Sequence, residues 1–269
     1  MPLPAIGREG VQFGLTAVVV RENIAFFERW GRYLSERLGR PVIFVRRRSY
    51  REIMELLETG ELDFAWICGY PFVRRREPEY LDLVAVPIFE GAPLYRSYVI
   101  VHRDSTIRSL EDLKGKVFAY SDPDSNSGYL VPRATLARIR LSPDALFRIS
   151  FFTYNHAETV EAVANRVADA GAVDSYVWEY LHRTNPALTA RTRILHRSET
   201  FGFPPIVGRR GGDKGINAAM RAALLTMHED ADGKSLLAQL ALDGFGAYEP
   251  SLFDEIRQLA RRLSDPAVR

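Results

Sequence analysis

The sequence predicts an α/β fold of two lobes, each a mostly parallel sheet flanked by helices, with a ligand cleft between the lobes. Three observations support this prediction. Strand-like and helix-like segments alternate over 11–67, a second alternating series runs over 117–174, and extended segments join the two series. Such alternation is typical of parallel sheets with helices on both faces. We place one lobe at residues 1–97 plus 206–269 and the other at 98–205.

The first series builds the discontinuous lobe. Its predicted elements are a strand over 11–15, a helix over 23–38, a strand over 41–45, a helix between Ser49 and Gly60, and a strand over 64–67. Apolar residues recur at helical spacing from Ile24 to Leu38, and Gly39 follows as a stop signal. Ser49 and Gly60 are suited to cap and end the second helix.

The second series follows a strong strand over 97–101. Its predicted elements are a short helix over 110–114, strands over 117–120, 151–154 and 170–173, and helices over 129–139 and 157–166. The segment 194–207 is predicted to be an extended return because it contains consecutive prolines, Pro204 and Pro205. Helices over 217–227, 235–242 and 251–263 complete the pattern.

Composition indicates an ordinary globular protein and argues against nucleic-acid binding. The chain has 269 residues, 46% hydrophobic and 26% charged, and 36 basic against 34 acidic residues give a net charge of +2. A nucleic-acid-binding domain normally has a larger and more clustered basic excess. Two short arginine runs, 46–48 and 74–76, are interpreted as solvated surface, with a partner-docking patch as the alternative.

The sequence leaves the compartment open. The single cysteine, Cys68, excludes an internal disulfide. No stretch approaches 18 consecutive apolar residues, so no transmembrane helix is predicted. The segment from Met1 to Pro4 lacks the charged and apolar regions of a secretory leader, which predicts either a cytoplasmic protein or a mature form.

The segment 121–132 contains the most informative functional signal. Its first eight residues, Ser-Asp-Pro-Asp-Ser-Asn-Ser-Gly, lie between an apolar strand and a predicted helix. Small polar residues at a helix start offer free backbone N–H groups at the positive end of the helix dipole, which suits an anion. The loop lacks the spacing and the lysine of a nucleotide phosphate loop, so a compact oxyanion is favoured. The alternative is an ordinary capped helix.

Loops after other predicted strands also carry polar, aromatic or thiol side chains. These loops lie at Ala17, 68–70, 154–156 and Asp174. Ligands of such sheets bind at the carboxyl ends of the strands. The loops are therefore expected to meet the 121–128 loop on one rim of the cleft.

The motifs resemble those of the periplasmic phosphonate-binding protein family, which serves transporters of phosphate, phosphite and phosphonate. The matching features are Phe-Ala-Trp at 64–66, Tyr95, Leu-Glu-Asp-Leu-Lys-Gly at 110–115, Ser-Asn-Ser-Gly at 125–128, His156 and Asp174. The 110–115 element is shared by many binding proteins, whereas the serine-rich loop followed by His and Asp is more specific. The resemblance extends from Val11 to Leu263 and implies a type II periplasmic-binding-protein fold.

Transferred residue by residue, the resemblance implies a ligand site. The predicted ligand-binding residues are Ser125, Asn126, Ser127, Gly128, His156 and Asp174 from one lobe, and Tyr50, Tyr95, Cys68 and Tyr70. Hydroxyls, N–H groups and His156 would donate to oxyanion oxygens, and Asp174 would accept from a protonated P–OH or As–OH. The site would thus select an anion that still carries a proton.

Two departures from the family pattern narrow the expected ligand. Asn126 stands where the family usually has threonine. Carboxylates that hold the amine of an aminoalkylphosphonate in some members have no clear equivalent, and Tyr176 and Pro204 lie near their expected places. A small oxyanion without an amine is therefore expected.

Cys68 and the triad-like residues leave alternatives open. A lone cysteine after an apolar strand is usually a buried apolar residue. Some relatives of the family sense arsenite with one cleft cysteine and signal to a membrane histidine kinase, so an arsenite sensor using Cys68 is the alternative function. Ser127, His156 and Asp174 also suggest a hydrolase, but the chain has no GxSxG motif.

We therefore predict a periplasmic solute-binding protein, not an enzyme, whose leader has been removed. It would capture phosphate, phosphite, phosphonate or an arsenic oxyanion and deliver it to an ABC transporter. No cofactor, metal or nucleic acid is expected. The expected partners are the oxyanion and a membrane permease, or a membrane sensor kinase in the alternative function, and the expected state is a monomer.

Overall fold

Two sheets organise the molecule. The computed structural model describes residues 10–16, 24–74 and 81–264. The strands are β1 (Val11–Leu15), β2 (Val42–Arg46), β3 (Phe64–Trp66), β4 (Leu81–Ile88), β5 (Leu94–His102), β6 (Val117–Tyr120), β7 (Ile149–Phe152), β8 (Ala170–Asp174), β9 (Thr192–Gly202), β10 (Ile206–Arg209) and β11 (Gly244–Gly246). The first sheet has the order β11-β4-β10-β3-β1-β2, and the second has the order β7-β6-β8-β5-β9.

Helices connect the strands. They are α1 (Ile24–Leu38), α2 (Tyr50–Glu58), α3 (Gly69–Arg74), α4 (Val131–Arg138), α5 (Pro143–Leu146), α6 (His156–Ala164), α7 (Ser175–Thr184), α8 (Pro186–Thr189), α9 (Lys214–Leu225), α10 (Ala231–Leu240) and α11 (Asp254–Ser264). Short 3₁₀ turns lie at Glu111–Leu113 and Pro250–Phe253, and a π-helical turn lies at Asn126–Leu130. Within the described residues, no helix has the length and apolar character needed to span a bilayer.

Both sheets repeat one strand order. β1 lies between β2 and β3 in one sheet, as β6 lies between β7 and β8 in the other. An antiparallel strand follows in each sheet: β10 separates β3 from β4, and β5 separates β8 from β9. β1 pairs in parallel with β2 and β3, and β6 pairs in parallel with β7 and β8. β10 and β5 run against both of their neighbours. Most strands of each described sheet therefore point the same way, as predicted, although the inserted strand makes many pairings antiparallel.

The chain passes between the sheets at two adjacent crossings. One joins β4 to β5, and the other joins β9 to β10. Leu94 pairs with Gly202, and the Phe203 N–H donates to the Pro93 carbonyl at 2.7 Å, so the crossings lie side by side. The predicted extended return at 194–207 corresponds to β9, the second crossing and the start of β10.

A continuous apolar core extends through both sheets and the crossings. Its largest cluster includes Trp30 and Trp66 beside the first sheet and Tyr176 beside the second. Phe203, in the second crossing, has its ring centroid 5.2 Å from that of Tyr176 and 5.8 Å from that of Tyr95. This packing places Tyr95 where the two halves of the molecule meet.

The sequence pattern did not predict several helices and strands. The missed elements are β4, β11, α3, α5, α7 and α8. The largest missed helix, α7, is rich in aromatic and β-branched residues, which have modest helix propensity. The helix predicted over 129–139 starts earlier, in the π-helical turn. The loop at Ala17, the helix start at Asn23 and the run from Met1 to Pro4 lie outside the described residues.

Candidate functional site

The strand ends of both sheets bring most predicted site residues together. Tyr50 follows β2 and Cys68 follows β3 in the first sheet, whereas the 121–128 loop follows β6 in the second. Most of the predicted site residues are fully or almost fully buried: Tyr50, Cys68, Tyr95, Ser125, Asn126, Ser127, His156 and Asp174. Their burial at the junction of the sheets defines the candidate site.

The 121–128 loop is shaped by its own hydrogen bonds. Ser125 Oγ accepts the Gly128 N–H at 2.9 Å, and the Ser121 N–H donates to the Gly128 carbonyl at 3.2 Å. From β5, Ser97 Oγ donates to the Ser127 carbonyl at 2.6 Å. A methyl group on Gly128 would lie 2.5 Å from Ser121 Cβ, so only glycine fits there. These contacts fix the backbone that carries the Ser127 hydroxyl.

His156 and Asp174 are coupled through the backbone. The Asp174 N–H donates to His156 Nδ1 at 3.0 Å, so the neutral imidazole carries its proton on Nε2. Burial lowers the pKa of His156 to about 3. His156 is therefore a hydrogen-bond donor that stays neutral at physiological pH.

Asp174 is both a helix cap and a free acceptor. Its Oδ1 accepts the Tyr176 N–H at 2.8 Å as the N-cap of α7. Burial raises the pKa of Asp174 to about 8, against the opposing effect of the backbone N–H groups of Tyr176 and Val177. The second carboxylate oxygen, Oδ2, has no hydrogen-bond partner among the described residues.

Cys68 contacts the loop of the opposite sheet. The Asn126 N–H donates to Cys68 Sγ at 3.1 Å, and Asn126 Nδ2 donates to the Tyr95 hydroxyl at 3.0 Å. The Tyr95 oxygen lies 3.7 Å from Sγ. Burial raises the pKa of the Cys68 thiol, so it is protonated at neutral pH. The thiol thus belongs to the candidate site and also joins the two halves.

The remaining predicted aromatic residues differ in position. Tyr50 is the first residue of α2, held there by the capping box of Ser49 and Glu52, and burial raises its pKa well above the ordinary value. Tyr70 is only partly buried, and its ring centroid lies 5.8 Å from the Arg74 guanidinium. Tyr70 therefore lies at the edge of the site.

Five predicted site residues carry a buried polar atom without a normal hydrogen bond in the described part of the chain. These atoms are Tyr50 Oη, Asn126 Oδ1, Ser127 Oγ, His156 Nε2 and Asp174 Oδ2. The nearby Thr16 hydroxyl interacts with Tyr50 and opposes the rise in its pKa. Unpaired buried polar groups are costly, and several together are typical of a site that a polar ligand completes.

The site offers neutral donors rather than cations. Among the described residues, the fully buried polar set contains no lysine or arginine. Nor do the described residues contain a cluster of side chains suited to a metal ion. The site can offer an anion hydroxyls and an imidazole N–H, next to an Asp174 carboxyl whose raised pKa favours its protonated form.

The geometry does not assemble the Ser-His-Asp relay suggested as an alternative. A triad needs the histidine Nδ1–H to donate to the carboxylate. Here Nδ1 accepts a backbone N–H, and the Asp174 carboxylate caps α7. The arrangement instead leaves Nε2 free to donate to a bound solute.

Sequence analysis missed two residues that shape the site. Ser97 lies in a strand whose apolar pattern gave no sign of its contact with the loop. Asp122 is buried and accepts the Tyr50 N–H at 3.2 Å from the opposite sheet. Its place in the loop motif was a usable signal, because a carboxylate beside a helix start is a common N–H acceptor.

Two α/β sheets that bring neutral donors together around a buried polar cluster form a site that can hold a small polar solute. The family model described as "ABC transporter, phosphonate, periplasmic substrate-binding protein" matches residues 13–253. The chain belongs to this family.

Similar proteins agree with this assignment. The phosphonates-binding periplasmic protein of Escherichia coli is 25% identical over 264 residues, which cover 94% of this chain and 76% of that protein. The binding component of a phosphonate ABC transporter from Pseudomonas aeruginosa is 26% identical, with a TM-score of 0.86 over 93% of this chain and 85% of the other. PhnD1 from Prochlorococcus marinus, solved with methylphosphonate, has a TM-score of 0.83 at 20% identity, over 95% of this chain and 98% of the other.

The family membership confirms the predicted fold class and the general function. The protein is an extracytoplasmic substrate-binding component of an ABC transporter, within a family of binding proteins rather than enzymes. The comparisons do not favour the sensory alternative.

Proposed function

We propose that the protein binds a small tetrahedral phosphorus oxyanion without an amine, such as phosphate, phosphite or a simple alkylphosphonate, and presents it to its permease. The observation that supports this most directly is the cluster of five buried polar atoms without normal partners. Ser127, Tyr50 and His156 donate to the anion, and Asp174 accepts from its remaining O–H. Ser125, Asn126, Gly128, Tyr95, Cys68 and Tyr70 complete the proposed site.

The buried carboxylates support a ligand without an amine. The buried polar set of the described residues contains two carboxylates, Asp122 and Asp174. Both oxygens of Asp122 already accept backbone N–H groups, from Tyr50 and Asp124. One oxygen of Asp174 is also occupied. A single free carboxylate oxygen suits one P–OH better than an ammonium group, which has three donors.

The two sheets support the proposed division into lobes. We assign 1–97 plus 206–269 to one lobe and 98–205 to the other, with the oxyanion enclosed between them. β5 is a strand of the second sheet and starts at Leu94, so the first boundary is better placed four residues before 98. The protein acts as a monomer in the periplasm, and its membrane partner is the permease rather than a sensor kinase.

A binding panel on ligand-stripped protein tests the proposal. Thermal shift and calorimetry would compare phosphate, phosphite, methylphosphonate, arsenate and arsenite, with sulfate as the deprotonated tetrahedral control. A ligand at 100 times its dissociation constant stabilises the bound form by about 2.7 kcal/mol. We expect a response to at least one phosphorus oxyanion and none to sulfate.

The variant Ser127→Ala tests whether the ligand identified in the panel binds at the Ser127 hydroxyl. Loss of a hydrogen bond to a charged ligand should weaken binding by about 1–3 kcal/mol. Ser142→Ala is the matched control, because Ser142 is exposed and its side chain caps nothing. Unchanged affinity in Ser127→Ala would remove this hydroxyl from the site, and a response to arsenite alone would contradict the proposed ligand class and move the chemistry to Cys68.

A further inference from the structure

The 121–128 loop, which carries Ser127, also contacts the other half of the molecule. Alternate residues of this loop contact three different elements around the first sheet. Asp122 accepts the N–H of Tyr50 at the start of α2, at 3.2 Å. Asp124 pairs with Arg74 at the end of α3, at 2.5 Å. The Asn126 N–H reaches Cys68 after β3, at 3.1 Å.

Asp122 makes the more buried of the two carboxylate contacts with the other half of the molecule. It is buried, with 1% of its surface exposed. Its Oδ1 accepts the Asp124 N–H at 2.7 Å, which fixes the carboxylate relative to its own loop, while Oδ2 reaches across to α2. Ser49 already caps the Glu52 N–H within α2. Asp122 therefore supplies an additional acceptor to a helix start that belongs to the other sheet, where a negative charge is favourable.

Asp124 makes a more exposed contact. Its side chain is 13% exposed, whereas Arg74 is 57% exposed. The pair lies at the edge of the site, next to the partly buried Tyr70. Exposed ion pairs usually contribute little to stability, and this one spans the same two halves as the Asp122 contact.

We propose that Asp122 and Asp124 are positioning residues for ligand binding, which hold the two lobes closed around the oxyanion instead of contacting it. This inference rests on the proposed function. Because the loop that meets the ligand is also the loop that meets the other lobe, closure and ligand contact are formed by one segment. Stabilising the closed form raises the affinity for every ligand that the closed form accepts.

The test distinguishes residues that stabilise the closed form from residues that contact the ligand. The dissociation constants of wild type, Asp122→Ala, Asp122→Asn and Asp124→Ala would be measured for each oxyanion that wild type binds. We expect Kd to rise about tenfold or more in Asp122→Ala and about 2–5-fold in Asp124→Ala. The factor should be the same for every ligand, with faster dissociation, because a closure residue does not distinguish among ligands.

Variants of the partner residue and a distant ion pair provide the controls. Arg74→Ala should reproduce Asp124→Ala, the double variant should be no weaker than either one, and the exchanged pair Arg74→Asp with Asp124→Arg should recover affinity. Glu199→Ala removes a surface pair with Arg138 and should leave Kd unchanged. Asp122→Asn and Arg74→Ala keep the test available if Asp122→Ala does not fold.

The outcomes separate this inference from the proposed function. Wild type that binds no oxyanion contradicts the proposed function and the inference with it. Wild type that binds, with Asp122 and Asp124 variants that bind equally well, contradicts only the inference. A change in the ratio of affinities among ligands would also overturn it, because that result indicates direct ligand contact.

Discussion

His156 and Asp174 divide the chemistry of the site between a fixed donor and a titrating acceptor. Hydrogen bonding to the Asp174 N–H sets the imidazole tautomer, and burial keeps the pKa of His156 at about 3. Donation from Nε2 therefore does not change between pH 5 and pH 9. The pH dependence of binding is expected to come from Asp174 and from the ligand.

The pH dependence of affinity tests the role of Asp174. Burial raises the pKa of Asp174 from the ordinary value of 3.8 to about 8, so the stabilisation by the protonated form is complete below about pH 4 and is lost as pH rises through about 8. If the complex holds one shared proton, the affinity should fall about tenfold per pH unit once both Asp174 and the free ligand are deprotonated. Calorimetry from pH 6 to pH 9 measures this slope.

The variant Asp174→Asn should flatten that slope, because a neutral amide repels no deprotonated ligand. Asp144→Asn is the control, since the Asp144 side chain is 84% exposed. A slope in Asp174→Asn equal to that of wild type would show that the shared proton lies elsewhere.

At the scale of elements, the π-helical turn at Asn126–Leu130 is the feature that forms the site. Its hydrogen-bond pattern lets Ser125 cap the turn while Ser127 keeps a free hydroxyl. Single π-helical turns are uncommon and are often found at functional sites. The turn depends on a close approach of the backbone to Ser121.

Gly128→Ala tests this dependence. The new methyl group would lie 2.5 Å from Ser121 Cβ and 3.0 Å from Ser125 Oγ, so the loop must shift. Overpacking of this kind costs about 1–3 kcal/mol, and we expect most of it to appear as lost affinity. Gly215→Ala, at an exposed position in α9, is the matched control. Wild-type affinity in Gly128→Ala would show that the loop tolerates the displacement.

The sequence predicted the parts of this site that depend on local pattern. Alternating strands and helices indicated where strand ends would meet, and the serine-rich loop stood out by composition. The unpaired state of Asn126 Oδ1 and the contact between Asn126 and Cys68 depend on packing between distant segments. Asp174 illustrates the difference, because its position after a strand was visible while its second role as the cap of α7 required recognising that helix.

At the scale of the whole molecule, the two crossings set how the halves meet. Gly202 ends β9 at the second crossing, and Trp66 fixes the next segment by donating its indole N–H to the Pro204 carbonyl at 2.9 Å. The Gly202 backbone lies against Leu252 and Phe253 of the segment before α11. The second crossing is therefore held between Trp66 of the first sheet and the segment before α11.

Gly202→Ala tests this arrangement. A methyl group would lie 2.8 Å from the Leu252 carbonyl oxygen, so the C-terminal segment or the crossing must move. We expect a loss of stability of about 1–3 kcal/mol, measured by denaturant unfolding. Thr200→Ala, at an exposed position on the same strand, should have little effect. Equal stability of the two variants would show that the crossing has room to adjust.

The paired crossings also set the effective concentration of one lobe surface at the other. Two short connections keep the surfaces of the lobes near each other before any ligand arrives, so contacts between them form within one molecule. Short links of this kind correspond to millimolar effective concentrations. A single half-exposed ion pair such as Arg74–Asp124, too weak to join two separate molecules, can then contribute to holding one molecule shut.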